Sequence, residues 1–323
     1  MQRIQFGFGL PTRGRLSSPE NLVKLAKHAE DLGFDFISVS DHVVIPRAIG
    51  SRYPYSTTGE FAVDPSGAYL EQLTVLTYIA ACSKRLRLLT SVMVVPQRPP
   101  VLTAKQLASL DVLSNGRLIF GIGAGWLREE FEALDAPWFD QRGRVTDEYL
   151  RAFKELWTND EPAFDGDFAS FHDIAFAPKP VQKPHPPIWV GGESNAALRR
   201  MARLGDAWYP IGSNPRHPLG TTSQLAAAID RLRGFAREAG RDPAEIDIAY
   251  SAGWYNDRDA ELDKAGHRRS FTGSPRQVAD DVLAFAALGV RHFGFGMTDG
   301  TLDGSLARLE RFATFVRPLI ERA

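Results

Sequence analysis

The sequence predicts a (β/α)8 barrel, and three observations carry that prediction. Eight short, almost wholly apolar segments read as strands, at residues 4–8, 36–39, 86–92, 118–122, 188–190, 207–209, 246–250 and 292–295. Strands without polar alternation belong to a parallel sheet covered on its faces by helices. One phrase recurs, a helix ending in Leu-Gly followed at once by a strand: "EDLGFDFISV" at 30–39, "ARLGDAWYP" at 202–210 and "AALGVRHFGFG" at 286–296. Its glycine fits the left-handed position that ends a helix without a Cβ penalty. Eight such units in 323 residues suit a closed barrel. The alternative is an open doubly wound sheet with a second domain, but no linker or low-complexity stretch marks a boundary. Residues 1–323 read as one domain.

Taken in order, the first strand leads to a helix opened by Ser18 as N-cap and Pro19 at its first position. Leu22, Leu25, Ala26, Ala29 and Leu32 follow at helical spacing and give that helix one apolar stripe. After the second strand, residues 43–68 form a long connection containing "SRYPYS". The run Leu76, Ile79, Ala80, Ala81 predicts a helix into the third strand. Residues 124–187 form a second long insertion, with helices expected around 126–134 and 146–157 and then the proline-stiffened "PKPVQKPHPPIW". Ser274-Pro275 opens the last paired helix, carrying Val278, Val282, Phe285 and Leu288. Insertions that follow barrel strands lie on the C-terminal face, where barrel active sites sit, so both are expected as lids or substrate walls.

Composition narrows the functional classes. Net charge is −1 and the isoelectric point about 6.7, with Lys and Arg scattered along the chain, so the electrostatic footprint for nucleic acid or an anionic membrane is missing. Cys82 is the single cysteine, which excludes an intramolecular disulfide and a thiolate zinc site. The start "MQRIQFGFGL" runs straight into a strand pattern rather than a signal peptide, and no apolar run approaches the roughly 20 residues that span a bilayer. A cytoplasmic protein is expected.

Residues at the C-terminal strand ends face the site of a barrel. They read Gly7-Phe8-Gly9, Ser40-Asp41-His42, Thr90-Ser91-Val92, Gly121-Ile122-Gly123-Ala124-Gly125, Gly191-Gly192-Glu193-Ser194, and Gly294, Gly296 and Met297. Bare backbone there suits a large flat ligand that approaches the main chain closely. It suits a metal poorly, because only Asp41, His42 and Glu193 supply ligand atoms, and no metal is expected. "GIGAG" closes a strand in mid-chain and is not a dinucleotide fingerprint. "IWVGGESNAALRRMARLG" has the layout of a phosphate cradle: strand, paired glycines, Ser194, and a helix whose first amides are free. Read otherwise, Ser194 is only an N-cap and the glycines a tight turn.

The set "SVSDH", "TSVMVVPQRPPVLTAKQLASLDVLSNGRLIFGIGAGW", "EEFEALDAPWFDQRGRVTDEYL" and "PPIWVGGES..ALRRMARLGDAWYP" resembles the luciferase-like monooxygenase superfamily over nearly the whole chain, and within it the branch thought to use coenzyme F420, a deazaflavin. The resemblance implies a luciferase-like barrel holding F420, or alternatively FMN, at its C-terminal face. A bulge at Ser91–Val92, often with a non-prolyl cis peptide in this family, would back the central ring. The tail phosphate would lie on Gly191, Gly192, Glu193 and Ser194, with Gly123, Ala124 and Gly125 on the other side. Asp41 would orient or hydrogen-bond the ring, and His42 would pass a proton while hydride moves to or from a small organic substrate. Sugar-phosphate dehydrogenases of the superfamily carry an acidic residue right after the fourth-strand glycines, as partner to the histidine. Trp126 stands there in this chain, and with Tyr53 and Tyr55 it suggests a more apolar substrate pocket. The expected function is F420-dependent hydride transfer. The alternatives are an FMNH2-dependent monooxygenase fed by a separate reductase, and a non-catalytic barrel that only binds the cofactor. Homodimers are usual among such proteins.

Overall fold

The protein is described from a computed structural model covering residues 3–63, 66–263 and 266–322. The eight barrel strands are β1 (Gln5–Gly9), β2 (Phe36–Val39), β3 (Arg87–Thr90), β4 (Leu118–Gly123), β5 (Ile188–Gly191), β6 (Ala207–Tyr209), β7 (Asp247–Ser251) and β8 (Val290–Phe295). Each pairs in parallel with the next, and β8 pairs with β1 in the register Gln5 to His292 and Phe8 to Phe295, which closes the ring. The third strand is shorter than expected. It breaks at residues 91–92 and resumes as Met93–Val94 alongside Ile122 and Gly123 of β4.

Helices α1 (Pro19–Asp31), α2 (Gln72–Cys82), α3 (Pro100–Leu113), α4 (Arg128–Ala133), α5 (Arg142–Thr158), α6 (Asn195–Leu204), α7 (Thr222–Glu238) and α8 (Pro275–Ala287) connect the strands, and a terminal helix starts at Leu302. The caps behave as expected. Ser18 accepts from the Asn21 amide, and Ser274 forms a reciprocal capping box with Gln277. Both insertion helices exist, although the second starts four residues before its expected position. The prolines of 178 and 184 follow cis peptide bonds. The Leu-Gly phrase needs one correction. Gly33 and Gly289 adopt positive φ, at 77° and 108°, but Gly205 is extended at −99°. It is glycine for space: a Cβ there would lie 2.6 Å from both Met201 Sδ and Val190 Cγ2.

The strands are buried on both faces. Between strands and helices lies the main core, with Phe8, Ile37, Val39, Leu88, Phe120, Ile188 and Trp208 almost fully enclosed. Inside the ring, Phe36, Leu89, Ile119, Trp189, Ala207, Tyr209 and Ala249 fill the lumen, so the barrel is plugged and only its mouth is open to ligands. Two glycines expected to face a ligand are instead spent on this plug. A Cβ on Gly7 would fall 2.3 Å from the Phe36 ring, and one on Gly121 would fall 2.0 Å from the Thr90 carbonyl. Among the described residues, no helix is long and apolar enough to cross a membrane.

The lumen also holds His292, its ring tilted against Trp189 at 4.7 Å with Nδ1 3.0 Å from Gln5 Oε1. Burial first, and then the charges of Arg87 and Arg291, push its imidazole from an ordinary value of 6.5 down to about 4. The neutral form is the folded form. Its contribution, roughly 3 kcal/mol, is therefore complete above the unfolded pKa and is lost as pH falls toward the folded one. His292→Gln is expected to narrow the gap between thermal midpoints measured near about pH 7 and about pH 5. An unchanged gap would assign acid lability to other groups.

Candidate active site

All fourteen residues predicted for the site line one cavity of about 590 Å³ at the C-terminal mouth. Its floor is the interruption in the third strand, where the Ser91–Val92 peptide is cis, at the position expected from the resemblance. The strand-end glycines make room for this bulge. A Cβ on Gly123 would sit 2.7 Å from Val92 Cγ2, and one on Gly191 would sit 3.1 Å from Val92 Cγ1. Gly125, at a φ of 86°, lets Val94 and Phe131 pack where a side chain would lie within 2.7 Å of each. Glycine at these strand ends thus shapes a flat shelf, with Val92 as its surface and bare backbone on either side.

His42 stands at one end of the shelf. Its Nδ1 lies 3.1 Å from Oε2 of Glu130, a residue of α4 that is 1% exposed. The same carboxylate accepts from the amides of Val43, at 2.7 Å, and Val44, at 3.3 Å. A carboxylate on Nδ1 favours the tautomer that carries the proton there, which leaves Nε2 as the acceptor. The acidic partner that the sequence seemed to lack beside His42 therefore exists. Trp126 does occupy the position after the glycines, but Glu130 reaches the ring from four residues further on. The signal was present in "WLREEFEAL", where two adjacent acids open a helix.

Asp41 lines the cavity but is committed elsewhere. Its carboxylate holds Arg98 in a two-pronged pair at 2.8 and 2.7 Å and accepts from the Val94 amide at 2.7 Å. It fastens the end of β2 to the chain beyond the bulge, a set of partners that the sequence alone does not show.

The opposite end of the cavity is a cradle. Ser194 caps α6 by accepting from the Ala197 amide at 3.2 Å, while Gly192, at a φ of 99°, turns the chain into the helix. Ser194 is thus an N-cap, as the second reading of this stretch has it, and Ser194, Ala196 and Ala197 at the start of α6 line the cavity. Glu193 does not join them. Its carboxylate is buried and turned to the Ile211 amide (2.9 Å) and Asn214 Nδ2 (2.6 Å), and burial raises its pKa. What the sequence missed is the contribution of α5. Gly143 and Arg142, at the start of that helix, face the same space. Arg142 donates to the carbonyls of Gly125 (3.0 Å) and Phe139 (2.8 Å) and stacks on the Phe139 ring. It has no carboxylate in ion-pair contact among the described residues, so its charge remains available to the cavity. Arg200, midway along α6, is tied to Asp147 and donates to the Gly143 carbonyl at 2.9 Å, which joins α6 to the start of α5.

The aromatic wall is larger than predicted. Tyr53 packs against Tyr55, Trp126 and Phe61, with ring centroids 5.5, 5.0 and 4.8 Å away, and Phe61 also meets His42 at 5.0 Å. Burial raises the pKa of the Tyr55 phenol, keeping it neutral. Tyr209, at the end of β6, is a further wall residue not foreseen. Its hydroxyl lies 3.2 Å from Ser91 Oγ.

The mouth thus joins a glycine-lined shelf, a histidine–carboxylate pair and an arginine beside the start of α6. The chain belongs to the luciferase-like monooxygenase family, which it matches over residues 4–271. It is 30% identical over 296 residues to the FMNH2-dependent dimethylsulfone monooxygenase of Pseudomonas putida, covering 77% of this chain and 78% of the relative. In fold it is similar to the monooxygenase RslO1 from Streptomyces bottropensis, with a TM-score of 0.75 and 22% identity over 99% of this chain and 100% of that one. The same TM-score of 0.75, at 18% identity over 99% of each chain, relates it to an F420-dependent secondary alcohol dehydrogenase.

Proposed function

We propose that this protein is an FMNH2-dependent monooxygenase acting on a small organic substrate, with reduced flavin supplied by a separate reductase. The observation that carries a flavin-type cofactor is the shelf itself, a glycine-walled surface on Val92 with a cationic cradle at one end and a histidine–carboxylate pair at the other. The residues fit such a group: the sites where a Cβ would intrude are glycine, and the cradle pairs Arg142 with two helix N-termini. The dimethylsulfone monooxygenase relative favours FMNH2 over the deazaflavin first expected.

In this reading Arg142, Ser194 and the first amides of α6 bind the phosphate. Val92 supports the ring, and the aromatic wall of Tyr53, Phe61 and Trp126 keeps water from it. Bound FMNH2 supplies the two electrons that reaction with O2 requires. His42 Nε2 holds or passes the proton at the substrate, and Glu130 fixes its tautomer and ring orientation. F420-dependent hydride transfer is the second reading. The His42–Glu130 pair favours it, because taking hydride from an alcohol carbon requires a base for the hydroxyl proton.

Fluorescence titration with FMN and F420, each oxidised and reduced, separates the two. Reduced FMN is expected to bind at least about tenfold more tightly than F420, a gap of about 1.4 kcal/mol. The opposite preference would move the protein to the hydride-transfer enzymes. Gly123→Val, which drives a side chain into Val92, is expected to weaken the preferred cofactor by roughly a hundredfold, about 2.7 kcal/mol, in the same titration.

A further inference from the structure

A second chamber of about 620 Å³ opens on the other side of the barrel mouth, between the ends of β1, β7 and β8. It meets the flavin-type cavity along a seam made by Ser40, Ser91, Tyr209 and Ser251, which line both. Its chemistry is different. Hydroxyls are prominent in its wall, with Thr12, Ser38 and Thr298 added to those of the seam, and among the described residues no aspartate or glutamate lines it. Two arginines stand at its edge, Arg13 and Arg15, from the segment that follows β1.

Arg13 is held in place by backbone and side-chain contacts. The backbone beside it is clipped to the β2–α2 connection, with the Leu70 amide donating to the Thr12 carbonyl at 2.9 Å and a β-bridge between Arg13 and Tyr69. Its guanidinium donates to the Tyr69 hydroxyl and lies 5.2 Å from the centroid of the same ring. Tyr69 in turn packs edge-on against His42, 5.5 Å away. Arg13 and Arg15 have no carboxylate in ion-pair contact among the described residues, whereas Arg98, Arg200 and Arg268, elsewhere in the fold, are paired with aspartates. A fixed guanidinium lining a hydroxyl-rich hollow, with no carboxylate there among the described residues, has the chemistry that recognises an oxyanion.

We propose that this chamber is the substrate site and that it selects a small organic anion, a sulfonate or carboxylate, through Arg13, with its hydroxyls binding the remaining oxygens. The proposal rests on the flavin-dependent reading for its use in turnover, but not for the binding preference itself. An anionic head under Arg13 leaves the rest of the substrate pointing across the seam toward the shelf, where His42 and Ser91 are within the same mouth.

The test is calorimetric titration of the whole chain, with and without FMN, using butanesulfonate, butyrate and the neutral probes 1-butanol and dimethyl sulfone. The wild type is expected to bind one of the anions at least about tenfold more tightly than either neutral probe. Raising salt from about 50 to about 500 mM should shrink that margin. The stronger of the two anions identifies the head group. Arg13→Gln is expected to remove the margin while FMN affinity, read by fluorescence, stays within about twofold; Arg13→Lys, which keeps the charge, should retain part of it. Equal binding of anions and neutral probes by the wild type overturns the proposal. So does a margin that survives Arg13→Gln combined with Arg15→Gln. A parallel loss of FMN affinity in Arg13→Gln would assign the arginine to the cofactor phosphate and also overturn it. Failure of FMN and F420 alike to bind would sink the functional reading, while the anion margin in the cofactor-free chain would still decide the chamber.

Discussion

Glu130→Gln is expected to lower turnover by roughly 10²–10⁴-fold while leaving flavin affinity nearly unchanged. The glutamine still accepts from the Val43 amide through its oxygen, so the loop it anchors stays in place. Its NH2 group would then face His42 Nδ1, where the carboxylate oxygen now lies 3.1 Å away. That arrangement makes Nδ1 the acceptor and puts a hydrogen on Nε2, the wrong tautomer for accepting a proton. The check is a comparison of turnover, flavin dissociation constant and pH profile. Loss of turnover with an altered pH profile and intact flavin binding supports the pair; loss of flavin binding in step with turnover would show that Glu130 acts only through the loop.

Asp41→Ala is the largest expected loss of stability, about 3–5 kcal/mol, because it leaves the Val94 amide without its acceptor and the buried Arg98 guanidinium with only Glu71, 3.7 Å away. Burial alone would lower the Arg98 pKa, and it is the Asp41 carboxylate that holds it above its ordinary value. Thermal unfolding should shift down by roughly 6–10 °C. The double change Asp41→Leu with Arg98→Met removes both charges and is expected to recover most of that loss without restoring flavin affinity, since the chain beyond the bulge is no longer tethered to β2. A double variant as unstable as the single one would show that packing, not the unpaired charge, accounts for the loss.

The fold was legible because its signals are local. Ser18-Pro19 and Ser274-Pro275 mark helix starts through backbone chemistry that operates wherever those residues stand, and all eight strands announce themselves by unbroken apolarity. The site was legible where a residue type has one use at a strand end, as at His42, Val92 and Gly123. It was illegible where the partner comes from a distant segment. Glu130 lies 88 residues from His42, and Arg98 lies 57 from Asp41, so only the closed barrel brings each pair together. Gly7, Gly121 and Gly205 show the same limit, because a glycine that serves a ligand and one that serves a neighbour's side chain look alike in sequence.

Two consecutive glutamates on α4 grip the 43–68 connection near its start. Glu130 takes the amides of Val43 and Val44, and Glu129 those of Gly50 and Ser51 at 2.6 and 3.0 Å. The first of these grips is also the one that aligns the histidine. The flap therefore cannot swing out at its root without releasing the imidazole from its carboxylate, so in the proposed reaction an open vestibule would be a disarmed one.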